Sequence, residues 1–411
     1  MNAPDAAFAP LESRPMQGSV LSQTVFTYAP VVDRSRNVVA TRLCAMPAEG
    51  DALDVAHVTS ALDEVWPSDA LPVSLKVKGD VMAPNVAEAV PVGRVMLEIP
   101  ASVACDPVNI DAIQGLYAVG GSLVLDGIPR PALPPEIVKC FARAIVPLAE
   151  DRRMKEGAQP PISGKRVIPF FEAGVHTIAE MEMCFERGAD GIVGWPFDDA
   201  LRTSAAKRTQ PDLLNIVELI RMLDRGDDVA HIDAAIRRDA SLAYRLLRYI
   251  NSPAFGLAVE IQSFRHAVMI LGYARLKRWL ALLLATGSKE ANLRPVMFAS
   301  VRRGMFLERL VGAEQDESLR DELFICGVFS LLDKLFHTPF EELFATLSVP
   351  QAVYEALVQG EGPYRRYLDL MSAIEQGIAN EVADITNECL LATEQVNRAL
   401  LHALGDAARL G

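Results

Sequence analysis

Residues 236–286 read IRRDASLAYRLLRYINSPAFGLAVEIQSFRHAVMILGYARLKRWLALLLAT, and this stretch decides the fold class of the second half of the chain. Its apolar residues recur every three to four positions, the period of an α-helix. Pro253 and Gly272 interrupt that pattern, as these residue types do where helices end and turns begin. The stretch therefore predicts helices joined by turns.

The helical pattern extends in both directions from this stretch. Asp212 can cap a helix whose apolar residues share one face. Those residues are Leu213, Ile216, Val217, Ile220 and Leu223. Further helices are predicted at 232–237, 241–251, 263–271, 275–285, 296–311, 323–335, 351–357 and 364–404. We therefore predict an all-helical domain over residues 212–408.

The first half of the chain has a different pattern, in which short β-type runs alternate with helical ones. The predicted strands are 25–27, 38–40, 73–77, 95–99, 122–125, 167–171 and 191–193, with helices at 111–119 and 178–187. Such alternation is typical of a parallel sheet or barrel. We predict an α/β domain over residues 23–198, a mobile tail over 1–22 and a polar linker over 199–211.

Composition limits the function. The 411 residues suffice for two domains, and a formal net charge of −13 disfavours general nucleic-acid binding because phosphate contacts need clustered positive charge. The six cysteines form no C-x-x-C pair, which argues against a zinc site. We find no signal segment, and the longest apolar run, near 279–285, is too short to span a bilayer. The sequence thus predicts a cytoplasmic protein without membrane contact.

Four segments of the first half resemble the EAL domain, a family that hydrolyses cyclic diguanosine monophosphate (cyclic di-GMP). The segments are VFTYAPVVDRSRNVV at 25–39, VMLEIP at 95–100, LVLDGIP at 123–129 and GADGIVGWPF at 188–197. The resemblance covers most of residues 24–197 and implies a TIM-barrel-like fold. In that family, carboxylates at the carboxyl ends of barrel strands hold the catalytic divalent metals.

The resemblance also implies that this barrel is degenerate. Arg42 stands at the signature glutamate and Lys76 near a metal-ligand asparagine, so both positions carry a positive charge. Glu98 and Asp126 match family carboxylates. We expect no metal, no cofactor and no catalytic residue in this barrel.

Four more positions complete the expected remnant of the EAL site. His176 replaces a glutamate of the family, Val193 replaces the closing glutamine, and Lys139 matches the family's lysine. Glu172 is a further carboxylate that can join a remnant site. The alternative to an inactive barrel is thus a cyclic di-GMP receptor or phosphodiesterase that uses Glu98, Asp126, Lys139 and Glu172.

The second half resembles the HDOD domain, a helical output module related to the HD phosphohydrolases. The resemblance lies in 236–286, with its Asn-Ser-Pro-x-Phe-Gly turn, and in LFICGVFSLLDKLF at 323–336. Residues 330–333 stand where an HD enzyme carries its His-Asp pair, and Asp333 is the only carboxylate there. Both halves together resemble the bacterial EAL-HDOD two-domain family, which implies no metal in the helical half either.

Residues 237–278 form a basic island in this acidic chain. It contains the cationic residues Arg237, Arg238, Arg245, Arg248, Arg265, Arg275, Lys277 and Arg278. We interpret it as a docking surface for an acidic partner protein or a nucleotide, with solvated helix faces as the alternative. A DNA-reading helix at 274–279 is disfavoured, because Leu276 and Trp279 belong to an apolar face.

These observations predict a non-enzymatic signalling adaptor. Its EAL-like barrel is expected to be inactive, and its helical domain is expected to bind other signalling proteins. Nucleic acid is not an expected partner, whereas a homo-oligomer is compatible with the sequence.

Overall fold

The computed structural model describes residues 19–67, 70–89, 95–151, 166–196, 211–237, 264–287, 290–311, 316–345, 347 and 349–406. Eight strands close into a barrel in chain order. They are β1 (Thr24–Asp33), β2 (Val38–Pro47), β3 (Val73–Val77), β4 (Val95–Pro100), β5 (Ser122–Asp126), β6 (Phe141–Pro147), β7 (Phe170–Val175) and β8 (Gly191–Gly194). Strand β1 is antiparallel to β2 and β8, and the other neighbours are parallel. The predicted barrel is confirmed.

Two details of the predicted strands are wrong. Strand β6 was not predicted, because Ala142, Arg143 and Ala144 interrupt its apolar run. The strand predicted at 167–171 begins three residues later, at Phe170, and Val167 before it is exposed. The apolar character of Val167 was therefore misleading.

Helices surround the barrel on the outside. They are α1 (Val55–Val65), α2 (Val86–Ala89), α3 (Ala101–Ala104), α4 (Ile110–Ala118) and α5 (Ile178–Glu186), with 3-10 turns at Val20–Ser22, Pro107–Asn109, Pro135–Cys140 and Leu148–Glu150. Helix α1 was not predicted, although Asp54 caps it by accepting a hydrogen bond from the backbone N–H of His57. In α5, Thr177 and Glu180 form a capping box that fixes the turn after β7.

The described residues after 210 form helices. They are α6 (Pro211–Asp224), α7 (Val229–Arg237), α8 (Phe264–Thr286), α9 (Arg294–Leu310), α10 (Glu317–Phe329), α11 (Leu332–Phe336), α12 (Phe340–Phe344), α13 (Gln351–Tyr354), α14 (Arg365–Gln376), α15 (Ala379–Glu388) and α16 (Thr393–Asp406), with a 3-10 turn at Ala291–Leu293 and a π-helical turn at Glu355–Gln359. Gly272 breaks α8 with a φ of 71°, as predicted. Within the described ranges, no helix is both long enough and apolar enough to cross a membrane.

The hydrophobic core has two parts. A small cluster fills the inside of the barrel and consists of Val31, Ala40, Val124, Ile145, Phe171 and Val193. A large cluster lies outside the barrel wall and continues without a break into the helical region. One continuous apolar cluster thus holds the barrel and the helical region together.

Strand β1 and the turn that follows it carry much of the interface with the helical region. The side-chain amide of Asn397 in α16 donates hydrogen bonds to the carbonyl oxygens of Leu21 and Thr24, at 2.7 and 2.6 Å. At the far end of the hairpin, Arg294 of α9 donates to the carbonyl oxygen of Ser35 at 2.9 Å. Leu21 is only 3% exposed, so residues 19–22 are packed rather than part of the expected tail.

Candidate ligand site at the barrel mouth

The inner face of the barrel changes from apolar to polar toward the carboxyl ends of the strands. Side chains of a strand alternate between its two faces, so residues two apart share a face. Arg42 follows Ala40 by two positions, and Asp126 follows Val124 in the same way; both Ala40 and Val124 belong to the inner cluster. Glu98 likewise follows Met96, which packs against that cluster. The barrel therefore brings these charged side chains together.

Arg42 is the centre of an ion-pair network. Its Nε lies 2.9 Å from Glu98 Oε1 and its Nη2 lies 2.6 Å from Glu98 Oε2, a bidentate pair. The same Nη2 lies 2.8 Å from Asp126 Oδ1, and Lys76 Nζ lies 2.7 Å from Asp126 Oδ2. Ser74 donates its hydroxyl to Glu98 Oε1 at 2.7 Å. Two basic side chains thus bond the two carboxylates directly.

The centre of the network is shielded from water, whereas the side chain of Lys76 at its edge is 44% exposed. The side chain of Glu98 is 0% exposed and that of Arg42 is 14% exposed. Burial alone lowers the pKa of Arg42, but the charges of Glu98 and Asp126 outweigh it, and the pKa lies above its ordinary value. Burial raises the pKa of the neighbouring Cys44 thiol, which favours the protonated form over a thiolate. Arg42 therefore stays charged, as its position between carboxylates requires.

The arrangement does not fit the divalent metals that the EAL resemblance implies. Such ions need several oxygen ligands that are not already neutralised. Here the Arg42 guanidinium and the Lys76 ammonium bond the oxygens of Glu98 and Asp126. In the part of the chain that the structure describes, no group of three or more His, Cys, Asp or Glu side chains is placed to hold a metal ion.

A cavity of about 600 Å³ opens above this network. Its walls come from the barrel strands and from the helical region. The barrel contributes Thr27, Tyr28, Ala29, Arg42, Cys44, Ala173, Gly174, His176, Val193, Gly194 and Trp195, and the helices contribute Arg303, Lys334, Ser372, Glu375, Gln376 and Gly377. The basic side chains of the lining are those of Arg42, Arg303 and Lys334. Arg42 is paired with Glu98 and Asp126, and Arg303 is paired with Glu375, so an anion that binds here competes with these carboxylates.

The structure brings six of the eight predicted EAL-site positions together. They are Arg42, Lys76, Glu98 and Asp126 in the network, with His176 and Val193 lining the cavity above it. The other two lie elsewhere, so the four-residue remnant site that they would complete is not assembled. Lys139 is exposed on the 3-10 turn that precedes β6. Glu172 is 1% exposed, but it alternates with Phe171 and Ala173 and so faces outward from the barrel.

Sequence reasoning missed the helical contribution to the cavity. Arg303 of α9 donates to both carboxylate oxygens of Glu375 in α14, with Nη2 to Oε2 at 2.5 Å. Helical periodicity gave no signal for this pair, because the two residues lie far apart in sequence. Ser74 was also missed, although it lies on the same strand face as Lys76 and period-two alternation would have identified it.

The segment that resembles the HD motif borders the same cavity. Ser330 accepts a hydrogen bond from Arg303 Nη1 at 3.0 Å, and Lys334 is part of the lining. Burial raises the pKa of Asp333, and the Oδ1 atom of this residue has no hydrogen-bond partner. The segments that carry the two resemblances therefore meet at one cavity.

The described part of the basic island is paired with acidic side chains. Lys277 Nζ lies 2.6 Å from Asp224, and Arg278 bonds Glu308 while its guanidinium stacks on Phe324. Arg275 pairs with Glu317 at 3.4 Å, and both side chains are exposed. Lys277 and Arg278 are thus poorer docking residues than expected. The side chains of Arg237, Arg238, Arg245, Arg248 and Arg265 lie outside the described residues.

Fold and site together define a two-part protein, in which an eight-stranded α/β barrel with an ion-paired mouth is followed by a helical region. Residues 211–347 match the family model of the HDOD domain, so an HDOD domain is present in that region. Helices α14, α15 and α16, which contact β1, lie beyond the match.

Two curated relatives of the chain come from different bacteria. The chain is 28% identical over 194 residues to "Cyclic di-GMP phosphodiesterase CdgJ" of Vibrio cholerae, a match that covers 47% of this chain and only 45% of CdgJ. It is 23% identical over 322 residues to the uncharacterised protein YuxH of Bacillus subtilis, covering 76% of this chain and 77% of YuxH. Among solved structures, the EAL domain of Mycobacterium smegmatis DcpA is similar, with 17% identity, a TM-score of 0.32 and coverage of 42% of this chain and 90% of that chain.

Proposed function

We propose that this protein is a signalling adaptor that binds other proteins and does not hydrolyse cyclic di-GMP. One observation carries the proposal, which is the bonding of Glu98 and Asp126 by Arg42 and Lys76. A metal ion that displaced Arg42 would leave a guanidinium buried without its carboxylate partners. Breaking a buried pair in this way costs about 3–5 kcal/mol.

The direct test is a hydrolysis assay. Purified protein is incubated with cyclic di-GMP in manganese or magnesium buffer, beside an active EAL phosphodiesterase as positive control. We expect no linear dinucleotide above the blank. Turnover that scales with protein concentration would contradict the proposal, especially if Glu98→Gln abolished it.

A cyclic di-GMP receptor is the second candidate, and the cavity favours it. Its volume of about 600 Å³ and its lining by Arg42, Arg303 and Lys334 support an anionic ligand that competes with the carboxylate partners of the two arginines. CdgJ, a relative of this chain, is named for a phosphodiesterase that acts on cyclic di-GMP. Calorimetric titration with cyclic di-GMP measures binding, and the assay above measures hydrolysis. Binding without hydrolysis would favour the receptor over the adaptor. Lys139→Ala is the control variant, because Lys139 lies outside the cavity.

The proposed partner is an acidic signalling protein bound at the basic island. The support within the described residues is Arg275, whose side chain is 58% exposed. Charge reversal at Arg245, Arg248 and Arg275 is expected to reduce capture of an identified partner. Unchanged capture by the folded variant would contradict docking at the island.

A further inference from the structure

Glu375 joins the barrel to the helical region inside the cavity. Its carboxylate pairs with Arg303, and its Oε1 lies 3.4 Å from the hydroxyl of Tyr28 in β1. Its carbonyl oxygen accepts a hydrogen bond from Trp195 Nε1 at 2.9 Å, and the rings of Tyr28 and Trp195 pack edge to face. The side chain of Glu375 therefore contacts β1, and its backbone contacts Trp195, the residue that follows β8.

The position of Glu375 on its helix makes it dependent on Arg303. It lies in the last turn of α14, where the partial negative charge of the helix C-terminus disfavours a carboxylate. Its side chain is only 5% exposed, so water does little to stabilise the carboxylate. The bidentate contact with Arg303 is what offsets both costs.

An anion in the cavity meets the same guanidinium. Arg303 is part of the cavity lining, as is Lys334 of α11, and Glu375 is the acidic side chain among the lining residues. A phosphate group presents the same oxygen geometry to arginine as a carboxylate does, with more negative charge. It is thus a physical competitor of Glu375 for Arg303.

We propose that the cavity is a regulatory site, at which the phosphate group of a small anion binds Arg303 and Lys334, displaces Glu375 and weakens the contact between α14 and β1. The inference rests on the proposed adaptor function, since the bound anion would regulate that adaptor. The inference assigns binding of the phosphate group to residues of the helical region, whereas the EAL resemblance placed the ligand-binding residues on the barrel.

The test uses the full chain and sodium pyrophosphate, without divalent metals and at constant ionic strength. Hydrogen exchange is measured over residues 24–33 and 365–376, and binding is measured by calorimetry. We expect pyrophosphate to bind and to reduce protection in both segments. Lys334→Gln is expected to weaken binding by about tenfold, the size of one charge-assisted hydrogen bond.

Glu375→Gln separates competition from a purely structural role. Without the competing carboxylate, this variant is expected to bind pyrophosphate more tightly than the wild type and to show low protection before any ligand is added. Glu388→Gln is the matched control, because Glu388 pairs with Arg366 at the surface and lies outside the cavity. It is expected to behave as the wild type.

Two results would overturn the inference. One is that the wild type fails to bind pyrophosphate, or binds it with unchanged protection. The other is equal or weaker binding by a Glu375→Gln variant whose circular dichroism is native. If that variant does not fold, the inference is tested by the affinity of Lys334→Gln for pyrophosphate and by hydrogen exchange of the wild type. Hydrolysis of cyclic di-GMP is measured separately, so turnover would contradict the adaptor function without affecting these readouts.

Discussion

Arg42 shows how one substitution changes the chemistry of a strand end. Its guanidinium occupies the space between Glu98 and Asp126, and the bidentate contact with Glu98 compensates for burial of that carboxylate. The EAL resemblance placed this arginine at the position of the family's signature glutamate. It did not predict the pairing, because the distances depend on the register and shear of β2, β4 and β5.

Removal of Arg42 is expected to destabilise the barrel strongly. Arg42→Leu leaves Glu98 buried without its partner, and we expect a loss of about 3–5 kcal/mol in the free energy of unfolding, measured by urea denaturation at neutral pH. Arg221→Leu is the control, because its pair with Glu218 is exposed and contributes less than about 1 kcal/mol. Equal losses in the two variants would contradict the account of the network.

Asp333 gives a pH-dependent prediction. Burial raises the pKa of this carboxyl, so it binds a proton more tightly in the folded protein than in the unfolded chain. Its contribution to stability is therefore present below the unfolded pKa and is lost as pH rises through the raised pKa. Asp333→Asn is expected to increase the free energy of unfolding at pH 7 relative to the wild type, with less gain at about pH 4. A gain that grows toward acid pH would contradict this sign.

At the scale of elements, glycines let α9 and α10 pack closely against each other. A Cβ atom added at Gly327 would lie 2.5 Å from the carbonyl oxygen of Arg303, and one at Gly304 would lie 2.5 Å from Val328 Cγ2. The sequence predicted helices at 296–311 and 323–335, but the second is interrupted after Phe329 and its residues are divided between α10 and α11. The closeness of the crossing was not predictable, because a helical glycine alone does not reveal which backbone faces it.

Gly327→Ala is expected to destabilise the helical region by about 1–3 kcal/mol through overpacking at this crossing. The reason is backbone contact, which a rotamer change does not relieve. Gly115→Ala in α4 is the control, since an added Cβ meets nothing within 4 Å there. It is expected to stabilise by about 0.5–1 kcal/mol. A neutral Gly327→Ala in thermal denaturation would contradict the predicted packing.

For the whole molecule, the unexpected feature is how β1 serves both regions. The sequence predicted the two regions and the boundary near 211, because the hydrophobic period changes there. The contacts of Tyr28 with Glu375 and of Asn397 with Thr24 were not predictable, since nothing local in a helix shows that its polar residue meets a distant strand.

The shared core predicts cooperative unfolding. The outer apolar cluster includes buried residues from the barrel and from the helices, so neither region keeps its full core without the other. We expect calorimetry to show one heat-absorption peak for both regions. Two well-separated peaks would contradict a shared core and would favour independent domains.

The central claim is that internal cations occupy the place of metals in this barrel. A crystal grown with manganese chloride and measured at a wavelength with strong manganese anomalous scattering tests it most directly. The account predicts electron density for the Arg42 guanidinium against Glu98 and Asp126, with no anomalous peak at these carboxylates. A manganese peak bonded to Glu98 and Asp126, with Arg42 turned away, would contradict it.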